Sequence, residues 1–99
     1  NKLIRVHNEI HEYAKFNPKR MALSDYVESL IDLAEEDENV SWSGLKAFKT
    51  TPHSLEMKRT LFRVSPHHHE KAKFNYKRMK LQNYIETLVI LDMQGLIKW

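Results

Sequence analysis

Glu12–Leu33 reads EYAKFNPKRMALSDYVESLIDL, and Glu70–Leu91 reads EKAKFNYKRMKLQNYIETLVIL. The offset is 58 residues without a gap, and 13 of the 22 paired positions are identical. Val27/Ile85, Ser29/Thr87 and Ile31/Val89 are conservative pairs, and Arg5/Arg63 and Val6/Val64 carry the match upstream. A chain of 99 residues therefore contains one small unit twice. A unit of roughly 40 residues sits at the limit of what folds alone without a metal or disulfide, so the two copies are expected to share one core.

Composition narrows the class. The chain has no cysteine, hence no disulfide framework and no thiolate site. With 41% hydrophobic and 29% charged residues and two glycines, it reads as a compact, helix-rich globule. No apolar run approaches the roughly 20 residues of a membrane span. No leader pattern is read, and a cytoplasmic location is expected. Charge divides unevenly: residues 1–38 hold 5 basic and 9 acidic side chains (net −4), 39–57 hold 2 and 1 (net +1), and 58–99 hold 9 and 3 (net +6). An anionic partner would feel the second copy more strongly.

Each copy opens on an alternating stretch. Thr60, Phe62 and Val64 fall on one face at period two, and Arg59, Leu61 and Arg63 on the other. In copy one, Ile4 and Val6 oppose Leu3 and Arg5. Both stretches predict strands of about five residues. Ser65-Pro66 then predicts a helix start with Ser as N-cap and Pro at the first position, and Asn8 is the matching cap in copy one. This first helix should reach Ala14 or Ala72, with Ile10, Ala14 and Met21 sharing a face, as do Ala72, Tyr76 and Met79. Pro18 should end or kink the first of them. A second helix is predicted with Ser24 at its N-cap, carrying Tyr26, Val27, Leu30, Ile31, Leu33 and Ala34 at helical spacing. Its twin carries Tyr84, Ile85, Leu88, Val89, Leu91 and Met93. The acidic run Glu35–Glu38 should fray the end of copy one. The predicted organisation is a first unit at 1–38, a linker at 39–57 and a second unit at 58–99. The linker has no counterpart beyond the Gln94-Gly95 stop and the tail 96–99. Its Trp42, Leu45 and Phe48 predict that it packs in part.

Strand, helix, helix, twice over, resembles the ribbon–helix–helix DNA-binding family (Arc/MetJ type). The resemblance is carried by IRVHN before LSDYVESL and by FRVSP before LQNYIETL, with 17 residues from His7 to Ser24 and 17 from Ser65 to Gln82. It implies a mainly α fold whose two strands pair as an antiparallel ribbon, with both units forming a pseudo-dimer inside one chain. The physics agrees: a lone short strand leaves its backbone groups unpaired, and its own repeat is the available partner. The ribbon's outer face would carry Leu3, Arg5, Arg59, Leu61 and Arg63. A two-stranded ribbon fits the DNA major groove, where arginine pairs with guanine and leucine touches thymine methyls. The plainer reading makes the arginines solvated charges that discourage edge aggregation. The family also clamps phosphates at the start of the second helix, a role the resemblance carries to Ser24, Lys80, Gln82 and Asn83. Ala22 and Lys80 stand near the turn where the family has glycine, and His11 and His69 stand where it has apolar residues.

Lys19-Arg20 and Lys77-Arg78 read either as phosphate contacts or as polar turns, and Phe16 and Phe74 read as core in preference to base-stacking platforms. His67–His69 lie on different helix faces without cysteine or a carboxylate pair, so no metal site is expected. No catalytic triad, glycine-rich phosphate loop or carboxylate dyad is present, and neither an enzyme nor a cofactor is expected. The expected function is site-specific binding of double-stranded DNA, as a repressor or a plasmid or phage DNA-processing factor, with adjacent sites open to cooperative filling. The alternative is a protein-interaction module of antitoxin or inhibitor type on the same scaffold, with Trp42, Phe48 and the tail 96–99 as its surface.

Overall fold

The computed structural model describes residues 2–46 and 61–99, and the side chains of these apart from 2–5, 61 and 62. Arg59, Phe48 and the rest of 47–60 lie outside the described residues. The protein is mainly helical, with strand β1 (Lys2–Arg5), helices α1 (Asn8–Lys15) and α2 (Leu23–Ala34), strand β2 (Leu61–Val64), and helices α3 (Pro66–Lys73) and α4 (Leu81–Met93). All four helices sit at the repeat offset of 58, apart from one extra residue at the end of α4.

β1 and β2 pair antiparallel, with Lys2 opposite Val64, Leu3 opposite Arg63, Ile4 opposite Phe62 and Arg5 opposite Leu61. Ile4 and Phe62 are equivalent positions of the two copies, so the register is symmetric about that pair. Helices of eight residues are too short to persist alone and depend on the shared core. Val6, Ile10 and Ala14 enter it from copy one's first half, and Val64 and Ala72 from copy two's. The second helices supply the bulk. Tyr26, Val27, Leu30, Ile31 and Ala34 are buried from α2, and Tyr84, Ile85, Leu88, Val89 and Leu91 from α4. Leu33 and Met93 pack against this cluster half-buried.

The caps differ from expectation. Ser65 does cap α3, accepting a hydrogen bond from the His68 amide at 3.2 Å. In copy one the N-cap is His7, with no side-chain bond, and Asn8 is already helical. α2 and α4 begin after Ala22 and Lys80, so Ser24 and Gln82 lie within the first turn rather than at the cap. Pro18 neither ends nor kinks α1. That helix stops at Lys15 as α3 stops at Lys73, although copy two has Tyr76 at the proline position. The terminator is the repeated asparagine. Asn17 donates to the Ala14 and Met21 carbonyls, both at 2.9 Å, and accepts from the Met21 amide at 3.0 Å. Asn75 makes the same three bonds to Ala72 and Met79. The turn this fixes holds Arg20 and Arg78 at φ 55°, the left-handed conformation expected of glycine. Tyr76 is 50% exposed rather than aligned with Ala72 in the core.

The repeat continues past the second helices, contrary to the reading of the linker as unmatched. Val40 and Ile97 form an antiparallel bridge, supported by Ser41 N–H to Leu96 C=O at 2.9 Å and Lys98 N–H to Asn39 C=O at 2.7 Å. Two residues on, each copy's tryptophan stacks on the other copy's tyrosine. Trp42 lies on Tyr84 (6.4 Å, 22°) and Trp99 on Tyr26 (5.9 Å, 21°). The two segments match at an offset of 57. α4 turns out through Gly95 at φ 71°, with Leu96 N–H bonded to Leu91 C=O and Gly95 N–H to Asp92 C=O, a Schellman ending. Copy one lacks that glycine and uses one more residue, stopping at Ala34 and making a 3-10 turn at Asp37–Asn39. A second 3-10 turn, Trp42–Gly44, sets Gly44 against Leu96, where a Cβ would lie 2.9 Å from Cδ2. Leu45 is 39% exposed, while the Lys46 backbone exchanges two hydrogen bonds with the Gln94 side chain, both at 3.0 Å.

Candidate nucleic-acid interface

Alternation along β2 is visible at its end: Arg63 is exposed and Val64 is 1% exposed. Residues directly opposite one another in an antiparallel pair share a face. Positions 3, 5, 61 and 63 therefore lie on the face of exposed Arg63, and 2, 4, 62 and 64 on the face of buried Val64. Four of the five expected base-contact residues, Leu3, Arg5, Leu61 and Arg63, are thus brought to one face by the backbone. Leu and Arg occur in the same order on both strands, so each leucine faces an arginine.

The connection from β1 into α1 is fixed by a long-range contact. His7 Nδ1 lies 2.5 Å from Glu86 Oε2, and Glu86, 7% exposed, also accepts from Gln82 Nε2 at 2.9 Å. Of the expected phosphate contacts, Lys80 and Asn83 are exposed at the start of α4. Gln82 is half-buried, and its side-chain amide donates to Glu86 rather than pointing to an anion. Ser24 is half-buried in the first turn of α2, beside exposed Asp25. The first turn of α4 carries no acid, so its amides and helix field suit an anion better than those of α2.

The histidine run is structural where it is engaged. His68 meets Glu28 at 3.2 Å and Asp32 at 3.1 Å, and Lys71 meets Asp32 at 3.0 Å and Glu35 at 3.2 Å. Burial alone would push the Asp32 carboxyl up, but the hydrogen bonds from His68 and Lys71 outweigh it and hold it below the usual carboxylate range. Among the described residues no group of His, Asp and Glu is arranged to hold a metal.

A further expectation is overturned. Phe16 and Phe74 are not core: they are 75% and 74% exposed. Each is the C-cap of its first helix, and the asparagine turn that follows carries the chain away before the ring can reach the interior. Only the repeat itself could have marked these residues, since AKFN and KRM recur unchanged around a variable eighteenth and seventy-sixth position. No family model, curated protein or solved structure matches this chain. Among the described residues no helix is long and apolar enough to cross a membrane.

Proposed function

We propose that this chain binds double-stranded DNA site-specifically as a ribbon–helix–helix pseudo-dimer, its paired strands entering the major groove. The observation that carries the reading is the register, which centres on two equivalent residues and sets Leu3, Arg5, Leu61 and Arg63 on one face. A two-stranded antiparallel unit has the dimensions of the major groove. Arg5 and Arg63 would pair with guanine O6 and N7, and Leu3 and Leu61 would meet thymine methyls. The backbone amides opening α2 and α4 would grip flanking phosphates, aided by Lys80 on the copy-two side. Reciprocal stacking of Trp42 and Trp99 supports the pseudo-dimer, because each copy's tail completes the other copy's core. Leu and Arg recur on both strands, so the inner target should be close to palindromic. The differing helix starts, Ser24-Asp25 and Gln82-Asn83, should tighten the grip on one flank. A role in repression or in plasmid or phage DNA processing is what the family resemblance implies for such binding.

The test is fluorescence anisotropy on a duplex library across a salt series. Affinity should fall steeply with salt, the log–log slope reporting the phosphates engaged, and Lys80→Ala should flatten the slope by about one. Absence of duplex binding even at low salt would overturn the proposal, and a salt-insensitive apolar partner would then favour a protein-interaction module.

A further inference from the structure

We infer that the two exposed phenylalanine turns form a second binding site, independent of the strand pair, for single-stranded nucleic acid. The turn carries Lys15, Phe16, Lys19 and Arg20 in copy one, all exposed, and Lys73, Phe74, Lys77 and Arg78 in copy two, all exposed. In each copy the preceding lysine ammonium stands 5.4 Å from the ring centroid. The other loop lysine reaches a tryptophan: Lys19 is 5.2 Å from the Trp99 ring and Lys77 4.6 Å from the Trp42 ring.

Packing accounts for part of this repeat and not for the rest. Ala14/Ala72, Asn17/Asn75 and Met21/Met79 are explained by burial and by the asparagine bonds. Among the described residues no packing requires the two phenylalanines, which are three-quarters exposed, or an arginine where the backbone is left-handed and glycine would be unstrained. Exposed pairs just beyond the turn, Ala22/Lys80 and Asp25/Asn83, have diverged, while these have not. What both turns offer is one open phenylalanine face and three cations, to which copy two adds half-exposed Tyr76. A nucleotide brings one π-face and one negative charge at every step, so single-stranded nucleic acid supplies both complements by its repeat chemistry. A duplex keeps its base faces stacked and would leave the phenylalanine without a partner. An acidic peptide would need an added apolar side chain.

The two sites are unequal. Beside Phe74 the chain's own acid intrudes: Glu35 lines the same cleft as Lys71, Phe74, Asn75 and Tyr76, and the Tyr76 hydroxyl donates to Asp37 at 2.9 Å. The cleft beside Phe16 is lined by Lys15, Asn17, Pro18, Arg20 and Met21, with no acid. The positions equivalent to Glu35–Asp37 there are Met93, Gln94 and Gly95. The Phe16 site should therefore bind the more tightly.

The experiment is titration of the full chain with labelled oligo(dT), with a duplex of equal length and with poly-glutamate in parallel arms, followed by anisotropy and by tryptophan emission. Oligo(dT) should bind and perturb the emission of Trp99, which lies under Lys19. Phe16→Ala should weaken oligo(dT) binding about tenfold, Phe74→Ala by less, and Phe16→Trp should keep it. Arg5→Ala/Arg63→Ala should leave it unchanged, which separates this site from duplex recognition. Oligo(dT) binding that is absent, or that survives Phe16→Ala/Phe74→Ala in a protein with unaltered circular dichroism, would overturn the inference. So would loss of poly-glutamate binding alone in that variant, which would assign the turns to a protein partner.

Discussion

Phenylalanine substitutions at the two tryptophans should have unequal consequences, although the tryptophans occupy equivalent places. Trp99 Nε1 donates to Asp92 Oδ1 at 2.8 Å, and the same carboxylate accepts from the Tyr26 hydroxyl. In copy one the residue equivalent to Asp92 is Ala34, and Trp42 Nε1 is buried without an acceptor of good geometry among the described residues. Trp99→Phe keeps the stack on Tyr26 but removes a hydrogen bond to a charged group, worth about 1.5–3 kcal/mol when buried. With Trp99 41% exposed, water replaces part of that, so a loss of about 1 kcal/mol is expected. Trp42→Phe removes a buried donor that meets the Tyr76 hydroxyl only in poor geometry, which relieves about 1–3 kcal/mol of desolvation against roughly 1 kcal/mol of lost apolar burial. It should fall within about 0.5 kcal/mol of the wild type or stabilise the fold. Urea unfolding followed by circular dichroism, with an unchanged m-value, measures both. In thermal unfolding, Trp99→Phe should lower Tm by about 4–8 °C. A Trp42→Phe variant that loses more stability than Trp99→Phe would refute the assignment of the polar anchor to one side only.

Asn17→Ala and Asn75→Ala should each cost about 2–3 kcal/mol, because each frees backbone groups the asparagine satisfies in a buried turn; chemical denaturation checks this. Arg20→Gly and Arg78→Gly should each leave stability unchanged or raise it by up to about 1 kcal/mol, since glycine adopts the left-handed conformation without strain, as differential scanning calorimetry would show. The His11 pKa lies below its ordinary value of 6.5, held down by burial and then by Lys15, against a smaller opposing pull from Glu12. The unfolded chain therefore takes up that proton first, and stability is lost as pH falls through about 6.5. Against wild type, His11→Gln should gain relative stability between pH 7 and pH 5 in paired urea titrations.

The repeat made the architecture readable, since two identical offsets set both second helices and their buried faces. The apolar spacing of Tyr26, Val27, Leu30 and Ile31 matches the side that is buried. Three features were not readable, each for a physical reason. The second helices begin after Ala22 and Lys80, which carry no side-chain capping signal, so the eye moves to Ser24. Phe16 and Phe74 look like core until the asparagine turn is known, because the turn, not hydrophobicity, decides where the ring goes. The tail pairing of Val40 with Ile97 was hidden by one residue, since Gly95 turns α4 more tightly than the 3-10 turn that follows α2. For the candidate interface, the alternation of Arg63 and Val64 was legible from period two alone. The commitment of Gln82 to Glu86 was not, because it depends on packing between distant segments.

The most direct test of the central claim is a selection from random duplexes, run with wild type and with an Arg5→Ala/Arg63→Ala variant whose circular dichroism matches it. Wild type should enrich a short, near-palindromic motif, and the variant should lose it. Failure of wild type to enrich any sequence, or an unchanged motif in the variant, would contradict base reading by the strand pair.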